Sequence, residues 1–474
     1  MKDMSSGKPL RVLYAFAIPM IISVLFQQFY NIADSLIAGN FIHDGGGALA
    51  AVNAAYPVTV VFIAIGNGFG VGGSVVISRI FGSRNYSRTK LCISTAIINI
   101  IIFAILFTVL GVFTSKPLLS LMNSEDLGET VFQQSVDYLN IYIYGLTFLF
   151  LYNVVSSVFQ ALGNSNTPLW LLIGSTIFNV IIDIIFVKYC NMGVKGLAWG
   201  TFIAQGIASL VSLLLLVLHL RKLPKEDMHD ENEQIEGVKA QIHSHKFLEN
   251  KAFSISIWSS IMLMAIPSIL QNSTVSIGQL FVQSLINSFS SANLVAAYGS
   301  AFKINYIIIS VFTTISNAIA TFTSQNIGAG RMDRAKQGLK GGLLSTVIIA
   351  LVSTAIYLIF ARGLVSVFTS DNNEKIISIG AQFLYILAPF YVLVCVKITF
   401  DGFIRGAGDM ISFTVSTMTD LIVRVGLSYL FVKVCHLGYV SIWWSWPIGW
   451  ALGTLASVLF YVSKRWQKTA QKKL

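Results

Sequence analysis

The sequence predicts an all-α integral membrane protein of twelve transmembrane helices, built as two pseudo-symmetric six-helix bundles in a parallel repeat. Three observations predict it. Of 474 residues, 55% are hydrophobic and 11% charged, where soluble domains carry about 25% charged residues; mean hydropathy is +0.72. Apolar stretches of roughly 20 residues or more, the length needed to cross a bilayer, recur along almost the whole chain. Finally, short motifs of the first half return in the second at a nearly constant offset.

In chain order the first six spans are expected at 10–40, 48–78, 91–114, 135–162, 168–189 and 194–220. The first reads as a span and not as a cleaved leader, because Leu10 to Ala38 is too long for a signal-peptide core and lacks a small-residue cleavage site. The second contains GFGVGG, Gly68 to Gly73. That string satisfies a dinucleotide fingerprint, but no strand precedes it, so close helix packing is the better account. Residues 221–253 form the only extended polar segment and are expected to be a cytoplasmic linker between a bundle at 1–220 and a bundle at 254–474. Its HSH at 243–245 reads as solvated loop.

The remaining spans are expected at 258–288, 293–323, 340–361, 376–404, 411–434 and 440–463. The last opens with Trp443, Trp444, Trp446 and Trp450, and an interfacial aromatic belt is the expected reason. The repeat is carried by AIPM (17–20) and AIPS (265–268), by SRIFGSRNYSRTK (78–90) and SQNIGAGRMDRAK (324–336), and by FVKYC (186–190) and FVKVC (431–435). Their offsets of 248, 246 and 245 keep register across half the chain. Six spans per repeat give both halves the same orientation, an arrangement found in transporters whose pathway runs between the repeats.

A net charge of +11 invites a nucleic-acid reading, but the placement of the charges argues against it. With the N-terminus inside, 23 of 32 Lys and Arg fall on the cytoplasmic side. Only Lys116, Lys188, Lys195, Arg362, Lys375 and Lys433 fall outside. This is the positive-inside asymmetry. Both termini are therefore expected in the cytoplasm of a cell with the chain in its inner (cytoplasmic) membrane. No H-E-x-x-H, G-x-S-x-G or phosphate-loop lysine motif is present, so neither a hydrolase nor an ATP-driven pump is supported, and the chain is not expected to be an enzyme. Four scattered cysteines do not make a disulfide framework.

Polar residues inside the spans are the candidate functional groups, since an ionisable side chain at membrane depth costs at least about 2.5–3.5 kcal/mol. Asp34 lies six residues from the outer end of span one at Asn40, and Asp183 five from Lys188 at the outer end of span five. At the helical rise both sit roughly 8–9 Å below the outer boundary. Thr201, six residues into span six from Lys195, reaches a similar depth, and Asn179 lies one turn below Asp183 on the same face. Two carboxylates at low dielectric do not both stay ionised without binding a proton or a cation. The carboxylate, amide and hydroxyl oxygens suit a hard ion such as Na⁺. Capping and packing between helices would occupy the same residues. Gln27, Tyr30 and Asn31 form a polar stripe along span one below Asp34, expected to line a cavity, and Pro19 is expected to bend that helix.

The segments IPMIISVLFQQFYNIADSLIAG in span one, AAV at 50–52, SRIFGSRN, LGNSNTP and FNVIIDIIFVKYCNMGVKGLAWGTFIAQ, in this order and partly repeated, resemble the multidrug and toxic compound extrusion (MATE) family. The resemblance runs over nearly the full length. It implies two six-helix bundles around a central cavity open to one side at a time, and export of organic cations or drugs driven by inward Na⁺ or H⁺. Asp34, Asn179, Asp183 and Thr201 each match positions of a cation site in the DinF-like branch. Gln27, Tyr30 and Asn31 resemble drug-contacting positions, and a bend at Pro19 would couple protonation of Asp34 to closure.

The second half departs from this pattern. Asn179 answers to Arg424, Asp183 to Ser428 and Asp34 to Val282, and span seven lacks the carboxylate of NorM-like members. Instead the half is expected to bury Lys303, Lys397, Asp401, Asp420 and Arg424, with Lys397–Asp401 and Asp420–Arg424 as four-apart ion pairs; Lys303 has no local partner, and pairing with an acid on another helix, binding an anionic group of substrate and moving in the transport cycle are its open roles. The function expected is a secondary active multidrug antiporter; the alternative is a lipid-linked glycan flippase of related architecture. No cofactor is expected beyond a coupling ion, Na⁺ or H⁺. The expected partners are a small organic substrate and membrane lipid, not nucleic acid, and the chain is expected to act as a monomer.

Overall fold

The computed structural model describes residues 3–41, 45–121, 128–224, 252–368 and 373–471; of residues 29–50 and 53 it describes no side chains. Among the described residues there is no β-strand. In chain order the helices are α1 Pro9–Phe41, α2 Gly45–Gly82, α3 Tyr86–Leu121, α4 Glu129–Tyr144, α5 Leu146–Ala161, α6 Asn166–Ile184 and α7 Gly193–Arg221. Then follow α8 Ile255–Asn287, α9 Ala292–Gly328, α10 Met332–Ser366, α11 Glu374–Leu387, α12 Tyr391–Gly406, α13 Met410–Tyr429, α14 Val440–Val462 and the short α15 Arg465–Gln471. Among the described residues, eleven stretches are long and apolar enough to cross a membrane by themselves, with α11 and α12 counted as one. Helices α4 and α5 make a twelfth candidate, bent by 48° between Tyr144 and Leu146. Helices are the form in which a chain can satisfy its backbone polar groups within lipid.

The repeat reaches down to local backbone geometry. A five-residue π-helical turn closes α6 at Ile185–Tyr189, and another closes α13 at Leu430–Val434. Asn191 and His436, two residues beyond, both take positive φ, 51° and 52°. The bend at Gly145 has its counterpart in the 3₁₀ turn Ala388–Phe390 between α11 and α12. Gly163 and Gly408 adopt φ of 74° and 86°, a left-handed conformation that ends a helix at little cost for glycine. The following helix is then capped alike in both halves. Asn164 Oδ1 accepts from Thr167 N at 3.1 Å, and Asp409 Oδ1 accepts from Ser412 N at 3.2 Å.

The chain packs as two compact units, Met1–Asp3 with Ile22–Ser273 and Met4–Ile21 with Thr274–Lys473. The first unit thus takes in the beginning of α8. Gly68 and Gly72 of α2 explain the fit: a Cβ on Gly72 would lie 2.4 Å from Ala265 Cα, and one on Gly68 2.6 Å from Ile269 Cα. Trp258 Nε1 donates to the buried Asn99 Oδ1 at 2.9 Å, adding a polar tie within the same unit. Around these lie Phe69, Phe150, Phe159 and Ile261, all buried.

The second unit is organised by aromatic rings. Trp443, Trp446 and Trp450 are 0%, 3% and 2% exposed and pack on Tyr298, Phe383 and Tyr391. The interfacial belt expected for the four tryptophans does not describe these three; Trp444 alone of the four is exposed. The other three fall three and four residues apart on one face of α14, the spacing of a core stripe. Cys190 and Cys435 are exposed and form no disulfide.

Candidate functional site

Helix α6 begins at the Asn164 cap and ends in its π-helical turn, and its last two turns carry Asn179 and Asp183 on one face. Both are buried, 3% and 1% exposed. Asn179 Nδ2 donates to Asp183 Oδ1 at 3.3 Å. Helix α7 presents Gly200 to this pair: a Cβ there would sit 1.9 Å from Asp183 Oδ1. The carboxylate therefore rests directly on the α7 backbone in space that only glycine leaves open. Thr201, half-buried, is the next residue along.

Asn179 Oδ1 is buried and has no hydrogen-bond partner among the described residues, a state that costs about 1–3 kcal/mol for a desolvated acceptor. With its amide N–H spent on Asp183, the carbonyl oxygen is an available donor atom beside a carboxylate. Such a pair fits Na⁺, a hard ion that takes oxygen ligands, and a carboxylate there equally accepts a proton.

The other expected members of the site stand as follows. Asp34, Tyr30 and Asn31 lie outside the described residues as far as their side chains are concerned. Gln27 is exposed. Pro19 is half-buried inside α1, which runs as one helix from Pro9 to Phe41. Gly200 was not among the residues singled out from sequence. Its signal is the single small residue before Thr201 at a position facing the Asp183 turn.

The charges of the second half assemble differently from expectation. Lys397 and Asp401 pair as expected, Nζ to Oδ2 at 2.9 Å. Asp401 Oδ1 also accepts from Ser416 Oγ at 2.9 Å and Ser457 Oγ at 2.6 Å. Asp420, however, turns to Lys397 of α12, Oδ2 to Nζ at 3.8 Å, and not to Arg424. Glycines on α14 open this route: a Cβ on Gly453 would lie 2.7 Å from Lys397 Cε and 2.9 Å from Asp420 Cβ. Arg424 instead lies over the Trp446 ring, 4.2 Å from its centroid. Lys303, expected among the buried charges, is exposed. Sequence spacing also missed Arg405, buried, whose Nη2 donates to Asn317 Oδ1 and whose guanidinium stacks 5.2 Å from Phe413.

Known proteins place this architecture. The MatE family model matches the chain twice, at residues 19–185 and 267–430. The starts of the two matches lie 248 residues apart and their ends 245, the offsets of the internal repeat. Over 456 residues the chain is 23% identical to the probable multidrug resistance protein YoeA of Bacillus subtilis, covering 95% of this chain and 93% of that one. It is 23% identical over 445 residues to the multidrug export protein MepA of Staphylococcus aureus, covering 94% and 91%. A FAD transporter of Shewanella oneidensis is 26% identical over 372 residues, covering 76% and 75%. Among solved structures, a MATE in complex with MaL6 superposes with a TM-score of 0.86 at 22% identity, covering 99% of each chain. A MOP superfamily transporter from Pyrococcus furiosus gives 0.85 at 22% identity, covering 99% of this chain and 98% of that one. At such identity these structures establish a shared fold.

Proposed function

The chain belongs to the MATE family, and from that membership we propose that it is a secondary active exporter, antiporting organic cations or drugs against inward Na⁺ or H⁺ by alternating access. The observation that carries the ion coupling is the Asn179–Asp183 pair, a buried carboxylate beside an amide oxygen with no partner among the described residues. Asp34 and Thr201 complete the donor set in this reading. The pattern of Asp34, Asn179, Asp183 and Thr201, with no carboxylate in α8, supports placement in the DinF-like branch rather than the NorM-like one.

In this mechanism the first half binds the coupling ion and substrate in alternation. With the site empty, its negative charge favours an organic cation along Gln27, Tyr30 and Asn31. Binding of Na⁺ or H⁺ neutralises Asp183 and Asp34, weakens the hold on the substrate and, through bending at Pro19, closes the cavity. Multidrug resistance and export proteins among the relatives support the substrate class. The chain acts in this reading as a monomer with both termini cytoplasmic and no cofactor beyond the ion.

The test uses proteoliposomes holding the full chain. An outward Na⁺ or H⁺ gradient, with the ion concentrated inside the vesicles, drives uptake of ethidium against its own gradient, and Asp34→Asn or Asp183→Asn abolishes it. Coupling that survives both substitutions removes the site assignment. Flipping of a lipid-linked sugar by the same vesicles, without dye transport, replaces the exporter by the flippase alternative. Parallel runs with Na⁺ alone and with a pH gradient alone identify the ion.

A further inference from the structure

We propose that Lys303 of α9 is a substrate-contacting residue that takes an anionic group, so that compounds with a carboxylate on an aromatic body are preferred. This deepens the exporter reading and rests on it for what is transported; the binding preference itself can be measured without transport.

Among the spans of the second unit α9 is the most enclosed: 72% of its most apolar window is buried, against 22% in α10. What α9 leaves open is a narrow stripe. Lys303, Tyr306 and Thr313 are exposed and Ser310 is half-buried, spaced three and four residues apart along one face. All four are polar. Every exposed side chain of α10 from Leu344 to Phe360, by contrast, is apolar, a surface suited to lipid. A charged and hydroxylated stripe at membrane depth does not suit lipid and reads as lining for water and solute. The opposite face of α9 fixes the direction in which the stripe points. Tyr298 stacks on Trp443 with ring centroids 5.6 Å apart, Asn305 Oδ1 accepts from Tyr391 Oη at 2.8 Å, and Ile304 O accepts from Tyr357 Oη at 2.9 Å.

Within the stripe the charge and the free donors belong to Lys303. Ser310 Oγ donates to Ile307 O at 2.7 Å and Thr313 Oγ1 to Ile309 O at 2.9 Å, so their hydroxyl protons are spent on the helix itself. Lys303 has no ion pair among the described residues. It lies eleven residues beyond Ala292, about 16 Å along the helix, too far for its ammonium to reach the helix end. One turn earlier on the same face, a Cβ on Gly299 would meet nothing within 4 Å. The space beside the ammonium is therefore open. A lone ammonium with three N–H donors neutralises one carboxylate, whereas a phosphate carries more charge than it offsets. The exposed Tyr306 ring, one turn further on and 6.1 Å from the half-buried Phe302 ring, offers flat apolar surface to the body of an aromatic acid.

Equilibrium binding to the purified full-length protein in lipid nanodiscs tests this with two dyes that differ by one methyl group, tetramethylrhodamine with a free carboxylate and its methyl ester. Fluorescence anisotropy, corrected with empty discs, is the readout. The wild type is expected to bind the free acid more tightly than the ester. Lys303→Gln is expected to weaken binding of the acid about tenfold, the size of one charge-assisted hydrogen bond, and to leave the ester within about twofold. Lys303→Arg keeps the charge and is expected to keep the preference. Equal weakening of both dyes in Lys303→Gln, unchanged binding of the acid, or a wild type that binds neither dye overturns the proposal. The wild type's own preference needs no variant to fold, and equal affinity for the two dyes overturns the proposal by itself. Ion-driven uptake is read separately in proteoliposomes. Its absence undoes the exporter reading and leaves the preference standing, whereas loss of the preference with uptake intact undoes this inference alone.

Discussion

Asn179, Asp183, Gly200 and Thr201 of the first half correspond, 245 positions later, to Arg424, Ser428, Ser445 and Trp446 of the second, and all four differences push the chemistry one way. In the first half a carboxylate lies on a glycine, with an amide oxygen left over. In the second, the carboxylate has become a serine whose hydroxyl donates to Arg424 O at 2.8 Å and meets Ser445 Oγ at 2.8 Å. The amide has become a guanidinium, and the threonine has become the ring it stacks on. In the function proposed above, the first half keeps an anionic place for a cation that comes and goes, whereas the second carries its cation on a side chain, Arg424. Yet the π-helical turn, the cap and the positive-φ residue around these positions are duplicated. Backbone scaffold and side-chain chemistry are separable in this fold.

The largest effect expected is in the second half. Lys397→Met leaves Asp401 and Asp420 as buried carboxylates without their ammonium, and removal of one partner from a buried pair costs about 3–5 kcal/mol. The thermal denaturation midpoint in detergent is expected to fall sharply. An unchanged midpoint would mean that the second half does not rely on fixed charge. Next comes Gly200→Ala. The added methyl meets Asp183 Oδ1, and overpacking of this kind costs about 1–3 kcal/mol. Its main effect is functional, because the carboxylate must leave its place: ion-driven dye uptake is expected to fall as in Asp183→Asn. Ser445→Ala, at the equivalent position, is expected to leave uptake intact. If both variants transport alike, the asymmetry between the halves has no functional content.

Much of this architecture was legible in the chain, and the reasons are physical. Hydropathy marks spans because lipid tolerates little else, and the offsets of AIPM, FVKYC and their counterparts carry the repeat in the sequence itself. Asn179 and Asp183 were legible as a pair because four residues bring side chains to one helix face. That rule is local, and it misled at Asp420. Arg424 is four residues away, but Gly449 and Gly453 thin α14 enough for Lys397 of another helix to reach the acid. Lys303 was placed by depth alone, and depth does not tell a buried face from an exposed one. The bend between α4 and α5 and the π-helical turns leave little mark on hydropathy. Trp443, Trp446 and Trp450 did carry a readable signal, since their spacing is that of a buried stripe.

A smaller test asks whether Asn179 lends its oxygen. Asn179→Ala removes the unpartnered carbonyl and the N–H held by Asp183. With Na⁺ as the driving ion, the Na⁺ concentration for half-maximal uptake is expected to rise about tenfold, equivalent to about 1.4 kcal/mol. An unchanged value removes Asn179 from the donor set and leaves the carboxylates to bind alone.

The smallest effect expected is at Ser428, and it is informative because it is small. Ser428→Ala deletes a hydroxyl whose acceptor, Arg424 O, sits within a helix, and Ser445 Oγ keeps its own bond to Ile442 O at 2.7 Å. The loss is therefore at the low end of the roughly 0.5–1.5 kcal/mol that a hydrogen bond contributes, and dye uptake is expected to match wild type. Asp183→Ala, the same truncation 245 positions earlier, is expected to abolish ion-driven uptake. If Ser428→Ala also abolished coupling, position 428 would act in the ion cycle despite carrying no charge. The division between an exchangeable cation in one half and a side-chain cation in the other would then fail.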